Sequence, residues 1–122
     1  IRSGFRIRSL RWGFKHSLGF DSREGWLAYV MPNDLMFVKS FKVDPDRVYN
    51  EVAGLTISVW YPDGPMCELE PIGPMERLAP GEAGSFTETW MLFSQAFPKA
   101  GQSLNLSGVE DIVNRNLESP QE

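Results

Sequence analysis

Hydrophobic and polar positions alternate with period two through much of the chain, the pattern of half-buried strands. Across 55–61, Leu55, Ile57, Val59 and Tyr61 fall on one face, and Thr56, Ser58 and Trp60 on the other. Across 35–43, Leu35, Phe37, Lys39, Phe41 and Val43 oppose Met36, Val38, Ser40 and Lys42. Across 85–93, Phe86, Glu88, Trp90 and Leu92 oppose Thr87, Thr89, Met91 and Phe93. Residues 26–31 are apolar on both faces and predict a central strand, whereas 5–12 read as an edge strand or arm. Turn formers separate these runs at Pro32-Asn33-Asp34, Asp44-Pro45-Asp46, Pro62-Asp63-Gly64-Pro65, Gly73-Pro74 and Pro80-Gly81. Many short strands at such spacing predict a mostly β, antiparallel sandwich-type fold.

The period changes at the C-terminus. Ser107-Gly108-Val109-Glu110 matches a capping box, and Val109, Ile112, Val113 and Leu117 then share one helical face. A short amphipathic helix is therefore expected over 107–118. It would cover a sheet edge of its own chain or dock on a neighbour.

At 122 residues, without repeats or an internal linker, the chain is expected to form one domain over 1–122. Its four Trp and eight Phe supply large apolar areas for a core. Trp12, Trp26 and Trp90 are assigned to that core, and the five scattered Met are read as core filling.

A net charge of −4 argues against general affinity for phosphate backbones, so nucleic acid is not an expected partner. The charge is uneven, however. Arg2, Arg6, Arg8, Arg11 and Lys15 precede the first acid, and residues 1–12 form a basic N-terminal strand or arm. That arm is either a solvated strand face or a contact for an acidic partner. Cys67 is the only cysteine, which excludes an intramolecular disulfide and suits a reducing compartment. The apolar runs are too short to span a bilayer, and no charged-then-apolar leader opens the chain. A soluble, cytoplasmic protein without a membrane contact is expected.

A cadence runs from Lys15 through DSREGWLAY over 21–29, LMFVKSF over 35–41, CELEPIGP over 67–74 and LAPGE over 78–82, to Glu88-Thr89-Trp90. This order and spacing resembles the C-terminal half of uncharacterised bacterial proteins related to the aldose-1-epimerase (galactose mutarotase) β-supersandwich. The resemblance covers about three fifths of the chain. It implies an antiparallel sandwich, half of a larger supersandwich, and a link to carbohydrates. It does not imply epimerase activity. Mutarotase-like chemistry draws a carboxylate base and histidines from both halves of a longer chain, and this chain has one histidine, His16. Where relatives carry an acid just before the strand aromatic, Ser58 stands here before Val59 and Trp60.

Glu68 and Glu70 are two apart, which on a strand puts both carboxylates on one face, roughly 7 Å apart along the chain. Such a pair can act as acid and base in glycoside hydrolysis, or simply be solvated. Glu88, alternating with Phe86, Trp90 and Leu92, is expected to point toward an apolar face, with Lys39 as a candidate structural partner. Trp60, on the face of Thr56 and Ser58, is the clearest sign of binding. An indole there stacks on a sugar ring or marks a protein interface. Cys67 with His16 would be a nucleophile–base pair only by coincidence. The sequence holds no Gly-rich phosphate loop, no G-x-S-x-G elbow and no Cys/His cluster, so neither cofactor nor metal is expected.

The leading expectation is a non-catalytic β-sandwich module that self-associates as a dimer or higher homo-oligomer, with Trp60, Ser58 and Lys39 at an interface or at a site for a sugar or other small ligand. The alternative is a carbohydrate-active enzyme of epimerase or glycosidase type, using Glu68, Glu70, Glu88 or His16.

Overall fold

A computed structural model describes residues 10–14, for which it gives the backbone, together with 16–63 and 66–117. The described chain is mostly β. Its strands are β1 (Leu10–Phe14), β2 (Ser17–Phe20), β3 (Trp26–Met31), β4 (Leu35–Phe41), β5 (Ile57–Trp60), β6 (Glu68–Pro71) and β7 (Glu88–Ser94), followed by one helix, α1 (Leu106–Leu117). One sheet has the order β1-β2-β5-β6 and the other β3-β4-β7. This is the class that the alternation predicts, with the two antiparallel sheets and terminal helix of a sandwich-like fold. The residues gather into two compact units that interleave along the chain: 10–25 with Phe41–Glu88, and Trp26–Ser40 with 89–117. The basic arm lies largely outside the described residues, since 1–9 and Lys15 are not among them.

The four-stranded sheet belongs to the first unit. Its β1–β2 hairpin closes at Phe14 and Ser17, leaving a two-residue loop in which His16 takes a φ of 77°. Histidine is one of the few non-glycine residues enriched in this left-handed region, and tight hairpin loops demand it. β2 was not legible in the alternation, because Ser17 to Phe20 contains a glycine and only four residues. That glycine, Gly19, is required by a close approach: a Cβ there would stand 2.5 Å from Leu55 Cδ1. Phe20, Phe41, Leu55, Ile57 and Val59 are the buried apolar side chains of this unit. Ile57 and Val59 thus point inward as their alternation predicts. Tyr61, assigned to the same face, lies beyond the end of β5 and is exposed.

Thr56 corrects a second expectation. Placed by parity on the wet face with Ser58 and Trp60, it is 2% exposed. Its hydroxyl donates to Ser22 O at 2.7 Å and accepts from Ser22 N at 2.9 Å. Thr56 N also donates to Phe20 O, and Thr56 O accepts from Ile72 N. It precedes β5 at a bend, where strand parity no longer governs its direction.

The three-stranded sheet and α1 make the second unit. Pro32-Asn33-Asp34 turns the β3–β4 hairpin, with Met31 paired to Leu35 and Asp34 in the left-handed region at φ 62°. A three-residue loop ending in a left-handed residue is a favoured hairpin connection. Asp34 then ties in the chain after β7, its carboxylate accepting from Phe97 N and its carbonyl from Gln95 N. Residues 26–31 were expected at the centre, but in the described order the middle strand is β4.

Met36 and Val38 of β4 are fully buried with Val109 and Val113 of α1, and Trp26, Ala28, Val30, Met91, Phe93, Leu104 and Ile112 pack around them. Helix periodicity is therefore realised in Val109, Ile112 and Val113, while Leu117 is exposed. The cap is not Ser107. The helix begins at Leu106, and Asn105 caps it: Asn105 Oδ1 accepts from Gly108 N at 3.1 Å and from Ser107 Oγ at 2.9 Å. Asparagine serves as well as serine at this position.

The packing of α1 settles which row of β7 faces inward. Met91 and Phe93 face the helix, so Glu88, Trp90 and Leu92 form the outer row, reversing the expectation for Glu88 and for Trp90, while Phe86 precedes the strand. Trp90 is 65% exposed and Leu92 60%. Of the other indoles assigned to the core, Trp26 packs against it and is half-buried. Trp12 lies outside the described side chains. Met36 and Met91 fill core as expected, whereas Met66 and Met75 are exposed. Among the described residues no helix is long and apolar enough to cross a membrane.

Candidate functional site

Register across the four-stranded sheet assembles four of the residues singled out in the sequence. Trp60 pairs with Ser17 of β2 and with Glu68 of β6; Ser58 pairs with Gly19 and with Glu70. Paired residues point to the same side of an antiparallel sheet, with Cβ atoms about 4.5–5.5 Å apart. One face therefore carries Ser17, Ser58, Trp60, Glu68 and Glu70, while Leu18, Phe20, Ile57, Val59, Leu69 and Pro71 point the other way. Burial follows this division. Trp60 is 37% exposed, Glu68 and Glu70 are exposed, and Ser17 and Ser58 are half-buried. The result is an accessible indole bordered along one side by two carboxylates. Among the described residues, no cation forms an ion pair with either glutamate.

The other candidates stand apart from this face. His16, in the β1–β2 loop, has its Nε2 3.6 Å from Asp63 Oδ2, its ring edge-on to Tyr61, and its carbonyl bonded to Tyr61 N. Cys67 precedes Glu68. Burial pushes its thiol above the ordinary value, and the neighbouring Glu68 carboxylate adds to the shift. That is the direction opposite to an activated nucleophile, so the Cys67–His16 pair gains nothing from the geometry.

Lys39 and Glu88 belong to strands of the other sheet. Lys39 Nζ stands 4.8 Å from the centroid of the Trp90 ring, and Phe37 meets the same ring edge-on at 5.6 Å. Lys39 thus serves as a cation over an exposed indole. Glu88 is half-buried on the outer row rather than directed into the core. Trp90 is a surface residue rather than a core one, and the signal for it in the sequence is Glu88, whose charge marks the outer row.

Glu68 and Glu70 share a strand and approach from one side. A glycoside hydrolase needs its two carboxylates to flank the scissile bond, and in the inverting form to act on opposite faces of the ring. Side-by-side acids next to an indole are better placed to hydrogen-bond the edge of a single stacked ring. Among the described residues, no group of three or more His, Cys, Asp or Glu could hold a metal ion. Fold and face together define a mostly β chain with an aromatic–carboxylate surface on one sheet. Comparison with family models, with curated proteins and with solved structures gives no match to this chain.

Proposed function

We propose that the chain is a non-catalytic binding module whose Trp60 face holds a carbohydrate ring. One observation carries this reading: an exposed indole in direct cross-strand register with a carboxylate, and next to a second carboxylate and two serine hydroxyls. The indole offers a flat apolar surface to the C–H face of a pyranose, while Glu68, Glu70 and Ser58 offer acceptors to its hydroxyls. Hydrogen bonds to ionised carboxylates are the stronger kind. The resemblance to mutarotase-related proteins supports the same ligand class. Calorimetric titration with a panel of oligosaccharides tests the proposal. Trp60→Ala is expected to weaken binding at least about tenfold, the loss of one stacking anchor, with little change in melting temperature. Binding that is indifferent to Trp60, or a panel without any ligand, would refute it.

Self-association, the second part of the reading, is favoured by a different surface. Trp90 and Leu92 stand together on the outer row of β7, and exposed apolar groups of that size mark contact surfaces. A two-fold dimer is the commonest way to cover such a surface. Sedimentation velocity at micromolar concentration is expected to show a dimer or larger species that Trp90→Ser and Leu92→Ser together convert to monomer. A monomer in the unsubstituted protein rules the dimer out.

A further inference from the structure

We infer that residues 73–86 form a latched loop that opens as one unit while the four-stranded sheet stays folded, and that Arg47 is the latch. Between β6 and β7 the chain makes no strand or helix, and residues 75–87 are exposed without a break. A stretch so open to water would ordinarily be loose. Here both its ends and its interior are tied.

The ends meet at Gly73 and Phe86. A Cβ at position 73 would stand 3.0 Å from Phe86 Cδ2, so the ring lies directly against the glycine. The same ring stands beside Phe41, with centroids 6.2 Å apart. Inside the loop, Ala79 N donates to Glu82 Oε2 at 2.8 Å, and Glu82 N donates to Ala79 O at 3.0 Å. Leu78 and the stem of Glu76 lie alongside Gly84. Close ends and packing by its own side chains define an Ω-loop, a kind of surface segment that is frequently functional.

A seam joins this loop to the turn after β4, in the same unit. Met75 N donates to Val48 O at 2.7 Å, and Arg47 Nη2 donates to Met75 O at 3.1 Å and to Glu76 Oε1 at 2.9 Å. Each side chain of the Arg47–Glu76 pair is nearly half exposed. An ion pair so placed stabilises weakly and is weakened further by salt. The four-stranded sheet rests instead on the buried Leu55, Ile57 and Val59. Segments with few buried apolar contacts open first, so the seam yields before the sheet does. Opening lifts Phe86 from Phe41, which is 8% exposed when the loop is closed, and bares an apolar ring on a folded unit.

Native-state hydrogen exchange of the full chain tests the inference through three loop amides, Met75, Ala79 and Glu82, and one sheet amide, Thr56, which donates to Phe20 O. Local openings cost less than global unfolding, so the loop amides should exchange through openings about a hundredfold or more populated than the one that frees Thr56. Exchange of the loop amides should also depend little on low urea, because a small opening exposes little surface. In Arg47→Gln all three should accelerate by a common factor of about three to five, the size expected for losing an exposed ion pair. Ala79 and Glu82 make no hydrogen bond to Arg47, so their acceleration reports the whole loop. About 0.5 M salt should accelerate the same amides in the parent and much less in Glu76→Gln. Trypsin cleavage after Arg77 should rise in Arg47→Gln by the same factor, since cleavage follows the population of the open form. Three outcomes overturn the inference. Acceleration confined to Met75 would mean a local contact rather than a loop that moves as one. Loop amides as protected and as urea-sensitive as Thr56 would mean that the loop opens only with the fold. Unchanged rates in Arg47→Gln would mean that Arg47 does not hold it.

Discussion

Met36→Ala is expected to remove about 2–5 kcal/mol of stability, the range for truncating a fully buried large aliphatic side chain. Met36 sits in the middle strand of its sheet and is wholly buried with Val38, Val109 and Val113. Its loss leaves a cavity bordered by strand residues on one side and by helix residues on the other. The second consequence is local. Helix α1 has 12 residues, a length at which an isolated helix is marginal in water, so it depends on this apolar contact. Urea titrations followed by circular dichroism should therefore show a lower midpoint and an early loss of helical signal. Met36→Leu, which conserves volume, should cost less than about 1.5 kcal/mol. An alanine variant within ~1 kcal/mol of the parent would mean that the cluster collapses around the gap and does not hold the helix.

Thr56→Val should cost about 1–3 kcal/mol although it keeps the shape of the side chain. The hydroxyl of Thr56 both donates to Ser22 O and accepts from Ser22 N. Valine would leave that N–H and C=O of Ser22 without this partner at a site where Thr56 itself is buried. The penalty is the desolvation of orphaned polar groups, not a loss of packing. Thr56→Ser separates the two effects because it retains the hydroxyl and removes a methyl group. The serine variant should melt closer to the parent than the valine variant does. The reverse order would show that the methyl contact, rather than the hydrogen bonds, secures the chain between β2 and β5.

Thr56 belongs to the same unit as the proposed binding face, and Met36 to the other. Thr56 and the buried Ile57 and Val59 anchor the segment that presents Ser58 and Trp60. A stable inward row is what keeps an outward indole in a fixed register with Glu68. Stability and binding are thus separable by parity along one strand: inward substitutions should lower the melting temperature, and Trp60→Ala should lower affinity.

The sequence by itself determined the local features of this protein. The run from Ile57 to Trp60 carries its inward and outward sets in its alternation, and Pro32-Asn33-Asp34 marks the β3–β4 turn. Val109, Ile112 and Val113 declare a helix by their spacing. Each of these depends on neighbours a few residues away, where backbone geometry fixes the period. The polar character of Glu68 and Glu70 and the outward direction of Trp60 were equally legible, but their meeting on one face was not. That depends on β5 pairing with β6 in one register, a choice made by contacts across the sheet.

Where both rows of a strand are apolar, alternation has no power to choose between them. On β7, Trp90 and Leu92 compete with Met91 and Phe93, and on β4, Phe37 competes with Met36 and Val38. The docking of α1 against one side decided both cases, burying Met36 and Val38, half-burying Met91 and Phe93, and leaving Trp90 outside with Lys39 over its ring. Asn105 and Ser107 were both suitable caps by residue type, and only the path of the chain into the helix selected Asn105. Thr56 followed strand parity on paper, but it lies at a bend before β5 where its hydrogen bonds to Ser22 outweigh parity. Tertiary structure decided these positions because each offered two locally acceptable answers, and only packing against distant segments made their free energies unequal.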